Sequence, residues 1–101
     1  MGDVMTEFDS IYNSLKDWKP IPAWQKKRSD GDFLIIMNKK LEVHFLNSTA
    51  RDIVELIGNR TIQEICESMM EIYEVEENVI RRDVINTIRN LQWKHLIRIS
   101  R

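Results

Sequence analysis

Asn47-Ser48-Thr49-Ala50-Arg51-Asp52-Ile53-Val54-Glu55-Leu56-Ile57-Gly58-Asn59-Arg60-Thr61-Ile62-Gln63-Glu64-Ile65 contains a helix start, a helix stop and a second start in close succession. Asn47 is a good N-cap, because its side-chain oxygen can take a free amide of the first turn. Ala50, Ile53, Val54 and Ile57 then recur at helical spacing on one face. Gly58-Asn59 ends that helix, since glycine readily takes the backbone conformation just past a helix end. Thr61-Ile62-Gln63-Glu64 is a capping box, in which Thr61 and Glu64 satisfy each other's free amides. The second helix is expected to bury Ile65, Met69 and either Ile72 or Tyr73. Two short helices joined by a tight glycine turn read as a helix-turn-helix.

On the C-terminal side the spacing predicts a third helix from about 78 to 93, with Ile80, Val84, Ile88 and Leu91 as its core face. Leu96–Ile99 reads as a short extended piece. On the N-terminal side the pattern is sheet. Ala23–Ser29, Phe33–Met37 and Leu41–Leu46 read as three strands, separated by the turns Ser29-Asp30-Gly31-Asp32 and Asn38-Lys39-Lys40. Alternation puts Leu41, Val43 and Phe45 on one side of the third strand and Glu42, His44 and Leu46 on the other. Both sides carry large apolar groups, so both are expected to be covered. Before the sheet, residues 5–18 form an amphipathic pattern with Phe8, Ile11, Tyr12, Leu15 and Trp18 on one face. Pro20 and Pro22 end it. This helix is the expected cover for the side of the sheet away from the main core. The fold expected is α+β: a winged helix-turn-helix with an N-terminal three-stranded antiparallel sheet, three helices after it, and an extra N-terminal helix. Residues 1–22 are expected to be that helix with a Pro-containing linker, and 23–101 the winged domain.

A chain of 101 residues has room for one core. Its formal net charge of -1 lacks the basic excess of a protein that binds nucleic acid through phosphates. The charge is unevenly spread. Residues 19–40 hold six Lys/Arg against two Asp, 41–80 hold nine acids against two Arg, and 81–101 hold six Lys/Arg against one Asp. A fold that brings 19–40 to 81–101 would create a basic surface that the net charge hides. One cysteine makes no internal disulfide. The longest apolar run, Phe33–Met37, is far short of the roughly 20 residues that cross a bilayer. The expectation is a soluble cytoplasmic domain.

No nucleotide-binding loop, zinc-protease motif or cysteine pair is present. His44, Cys66 and His95 lack metal-ligand spacing, and Cys66 reads as a small interior hydrophobe. Neither enzymatic activity nor a metal or cofactor is therefore expected. A DNA-binding helix-turn-helix would need a basic second helix, yet residues 61–80 hold no Lys or Arg. A winged-helix nucleic-acid binder is the alternative kept, and a dimerisation module built on helix 5–18 is a third. A peptide-binding reading rests on strand 41–46 as an open sheet edge, and on Ile85 at the shoulder of the last helix, flanked by Arg81, Arg89 and Gln92. An unpaired sheet edge can also join a second copy, so a homodimer is a further expectation.

The ordered set Leu46–Ile53, Gly58–Ile65, Tyr73-Glu74-Val75, Asp83-Val84-Ile85 and Leu91 to Leu96 resembles the PqqD family over roughly residues 23–99. That pattern has an acid in the turn where Ile57 stands here, and a glycine where His95 stands. The resemblance implies a recognition element for ribosomally made, post-translationally modified peptides. It implies that a precursor's leader peptide adds as a strand between the third strand and the third helix, and is presented to a modifying enzyme, often a radical S-adenosylmethionine protein. By position that strand is 41–46 and that helix 78–93, the two elements already singled out, so peptide binding is expected of Leu41, Glu42, Val43, His44 and Phe45 of the strand and Arg81, Ile85, Ile88 and Arg89 of the helix. Ile85 and Ile88 are expected to form an apolar pocket. Arg81, Arg89 and Lys39 or Lys40 are expected to attract acidic leader residues.

Overall fold

The computed structural model describes residues 7–101. The elements are α1 (Glu7–Leu15), β1 (Lys19–Pro22), β2 (Trp24–Asp30), β3 (Phe33–Asn38), β4 (Val43–Leu46), α2 (Ser48–Leu56), α3 (Ile62–Ile72), α4 (Glu77–Trp93) and β5 (Ile97–Ser100). Strands β2, β3 and β4 form an antiparallel sheet in that order, with β3 in the middle. Helices α2, α3 and α4 pack on one another, and α2 also packs against β3 and β4. This is the α+β winged helix-turn-helix arrangement.

The helix signals act as their chemistry dictates. Asn47 Oδ1 accepts the Ala50 amide at 2.9 Å. The Thr61 amide donates to Glu64 Oε1 at 2.8 Å, and the Glu64 amide to Thr61 Oγ1 at 3.1 Å, which completes the capping box. The two amides between them have partners outside the helix: Ile62 N–H donates to Trp18 O at 2.9 Å and Gln63 N–H to Lys16 O at 3.0 Å. The first turn of α3 is thus satisfied partly by the chain that leaves α1. Gly58 has φ 151°, a backbone that side chains resist.

Several expectations need correction. Helix α1 runs from Glu7 to Leu15, and residues 5 and 6 lie outside the described region. The segment after it, read as a linker, is strand β1, which pairs antiparallel with β5 over Lys19–Pro22. Prolines fit there because a two-stranded ribbon leaves half of each strand's amides unpaired. Helix α1 also does not cover the sheet. It packs on α4, where Arg81 sits 4.4 Å from the centre of the Tyr12 ring and Arg82 4.9 Å from that of Phe8. The outer sheet face stays open, with Val43 51% and Phe45 71% exposed.

The third strand is shorter than 41–46. Leu41 has φ 67° and belongs to the turn, closed by its amide donating to Asn38 O at 3.1 Å. Finally, Ile85 is only 1% exposed, as is Ile88. Ile85 lies one helical turn from Arg81, on the face that α1 packs against. Tyr12 of α1 joins it in the same buried cluster. Of the two residues offered for α3, Tyr73 is the one packed against the core, and Ile72 is exposed.

Two predictions follow from this packing. Ile85→Glu should destabilise the fold by more than about 3 kcal/mol, because it buries an unpaired carboxylate. Ile85→Val should cost about 1 kcal/mol. Urea unfolding measures both, and an unshifted midpoint for the Glu variant would mean that α1 does not close this face. The capping box supplies the second. Hydrogen bonds from the Thr61 backbone and side chain hold the Glu64 carboxyl below its ordinary value of 4.5. Its stabilising contribution is complete above the ordinary glutamate range and fades as pH falls through the lowered folded value. Thr61→Ala should cost about 1 kcal/mol at pH 7. It should cost less at pH 3, as thermal melts at the two pH values can show.

Candidate peptide-binding site

The groove begins with an unpaired sheet edge. β4 is the last strand of its sheet, so among the described residues one side of it has no neighbouring strand. The β3–β4 ladder starts with the Asn38 amide donating to Glu42 O at 3.1 Å, and continues with Ile36 opposite His44 and Leu34 opposite Leu46. Antiparallel strands alternate between residues that bond the partner and residues that bond outward. The N–H and C=O groups of Val43 and Phe45 therefore point away from β3. Their side chains stand on the outer sheet face, with Ile35 and Met37. His44 and Leu46 stand on the inner face.

A hollow of about 900 Å³ lies between this edge and the C-terminal half of α4, lined by Glu42, His44, Arg89, Gln92, Trp93, Lys94 and His95. A second, of about 360 Å³, shares Lys94 with it and continues past Phe45 to Asn47, Asn86 and Asn90. Together they follow β4 along its length. Asn86, Arg89, Asn90 and Trp93 recur at spacings of three and four, so they form one stripe of α4 beside its buried face. Trp93 is 83% exposed.

The groove is basic. Arg89 and Lys94 line it, and Lys40 Nζ lies 3.4 Å from His95 Nε2 at its end. Glu42 is the one acid on its lining. The hydrogen bond from Asn38 holds the Glu42 carboxyl below its ordinary value. His44 Nε2 is buried without a hydrogen-bond partner among the described residues. The two basic segments, 19–40 and 81–101, meet mainly along the β1–β5 ribbon, and only Lys40 of the first segment reaches this groove.

Of the residues expected to bind a peptide, Glu42, Val43, His44, Phe45 and Arg89 meet here, and Lys40 reaches the rim. Leu41 is exposed in the turn just before the strand. Arg81, Ile85 and Ile88 are not on the groove. Arg81 is stacked on Tyr12 and bonded to Glu77 at 3.0 Å, with its Nε buried and unpartnered. Ile85 and Ile88 belong to the core and offer no pocket. Trp93, Lys94 and His95 escaped the sequence reading. The signal available for Trp93 was its position one turn beyond Arg89, off the apolar stripe.

Burial pushes the Cys66 thiol up to about 11, so it is protonated at neutral pH and is a poor nucleophile. Among the described residues no group of three His, Cys, Asp or Glu side chains could hold a metal ion. Among the described residues no helix is long and apolar enough to cross a membrane.

Comparison with solved structures finds TbiB1 in complex with the TbiA(beta) leader peptide. It is 20% identical, with a TM-score of 0.68, covering 78% of this chain and 93% of that one. The likeness extends the winged arrangement to a second, distantly related sequence. Comparison with curated proteins returns no match. The family model for coenzyme PQQ synthesis protein D matches residues 34–97, from the middle strand of the sheet to the start of β5. That span takes in both walls of the groove and more than half of the chain, and on it the chain belongs to the PqqD family.

Proposed function

We propose that this chain is a recognition element for the leader peptide of a ribosomally made precursor, binding it without transforming it. The observation that carries the reading is the open edge of β4 lying along a basic groove walled by α4. A leader laid down there adds a fourth strand. Its backbone bonds the outward groups of Val43 and Phe45, each bond worth about 1 kcal/mol net. Alternate leader side chains turn inward, toward Arg89, Trp93 and His95. Apolar groups suit Trp93 and carboxylates suit the basic lining, so the preferred leader carries an apolar anchor beside Asp or Glu. Membership of the PqqD family supports this reading, as does the leader peptide held by TbiB1 on the same fold. The partner downstream is a peptide-modifying enzyme, for which we infer the radical S-adenosylmethionine class from the family, and the site of action is the cytoplasm.

The test is an amide-resolved NMR titration of the protein with short precursor peptides encoded beside its gene. Signals of 43–46 and 89–95 should move together. Movement confined to α3, or binding of random duplex DNA at low salt with no response to any peptide, would overturn the reading.

Two substitutions sharpen it. Val43→Pro removes an outward amide and no β3–β4 hydrogen bond, so it should weaken binding about fivefold or more while the protein stays folded. Trp93→Ala should weaken binding about tenfold or more, as buried aromatic anchors do. Raising salt should weaken binding modestly, through slower association, because the charges are exposed. Calorimetry on the variants and stopped-flow association at two salt concentrations check these outcomes.

A further inference from the structure

The side chain of Asn38 is fully buried, the one polar residue in the core among the described residues. It uses every hydrogen-bonding position it has. Its Oδ1 accepts from the Lys40 amide at 2.9 Å and from the Glu42 amide at 3.0 Å. Its Nδ2 donates to Glu42 Oε1 at 2.8 Å and to Lys94 O at 2.9 Å. The acceptor half thus shapes the β3–β4 turn. The donor half reaches 56 residues along the chain, to the carbonyl at the end of α4. Glu42 and Lys94 both line the groove, one on each wall.

We propose that Asn38 is a positioning residue that sets the separation of the two groove walls, so that the groove is built before any peptide arrives. Three features support it. The carbonyl of Lys94 lies where α4 stops, among the last carbonyls that have no partner inside a helix, so a buried donor there is worth more than an exposed one. Among the described residues the walls are also bridged by Lys40 and His95, but that contact is long and exposed, so the Asn38 amide is the buried directional link between them. The turn it organises holds Leu41 at φ 67°, a conformation a leucine keeps only when its surroundings impose it. The consequence for peptide capture rests on the reading above: a preset groove spares an incoming strand the ordering of its own site. The wall spacing itself is tested without peptide.

Asn38→Asp separates the two halves of the device. At pH 8 the carboxylate still accepts from Lys40 and Glu42, but it has no proton to give to Lys94 O or to the Glu42 carboxylate. Glu42→Gln is the contrasting variant, because it leaves the Asn38–Lys94 bond in place. Spin labels on V43C and Q92C report the wall separation by pulsed electron resonance, and the buried Cys66 thiol stays unlabelled. The parent and Glu42→Gln should give one narrow distance distribution. Asn38→Asp should shift it to longer distance and broaden it about twofold, with helix content unchanged by circular dichroism. An unchanged distribution in folded Asn38→Asp overturns the proposal. If that variant does not fold, exchange of the Asn38 carboxamide protons in the native protein decides: slow exchange upholds the clamp, and exchange at the rate of an exposed amide overturns it. Because neither measurement uses a peptide, a protein that holds its walls apart but binds no leader refutes the function and leaves the clamp standing.

Discussion

The molecule depends on burying one side of α4. Ile80, Val84, Ile85, Ile88 and Leu91 all lie in the core, over an arc wider than one neighbour can cover. Helices α1, α2 and α3 and strand β5 each take a share of it. Burial of an isoleucine is worth roughly 1.5–3 kcal/mol, so displacing this helix would cost about as much as a small domain's whole net stability. The groove is what this constraint leaves over. Where the apolar arc ends, the stripe Asn86, Arg89, Asn90 and Trp93 begins, and it faces the edge of β4.

The local signals of the helices were legible because each is chemistry within a few residues. Asn47, the Thr61–Glu64 box and Gly58 act through neighbours in sequence, and the strands follow from alternation. What required another element was not legible. Ile85 sits on a shoulder of its own helix, and only the packing of α1 across that shoulder makes it core. Pro20-Ile21-Pro22 contains two residues that stop a helix, and nothing local reveals that β5 waits to pair with it. Leu41 continues the alternation of Val43 and Phe45, yet the turn takes it out of the strand.

The site was half legible for the same reason. An open edge at β4 follows from strand order, which hairpin turns make readable. Which groups face it depends on the side of α4 turned toward the sheet, and that depends on packing. Arg89 was found because it flanks the apolar stripe. Arg81, placed equally well by periodicity, is claimed by Tyr12 and Glu77 instead. His95 shows the reverse case. Its φ of 59° is the conformation that glycine, the residue of the family pattern at this position, takes without strain. The side chain placed there lies beside Lys40 at the end of the groove.

The two edges of the sheet differ in a way that bears on which one accepts a guest. β2 carries Lys26, Lys27 and Arg28 along its exposed length, the kind of charge that keeps edges from pairing. β4 carries Val43, His44 and Phe45 and has no such protection. Its brevity sets a limit, however. With Val43 and Phe45 alone presenting outward groups, main-chain pairing yields about four bonds, or about 4 kcal/mol. Association alone costs at least about that much, so strand pairing by itself would not hold a peptide. On the proposed function, side chains on the α4 wall would then have to supply the affinity, which would put selectivity in the groove and register in the strand.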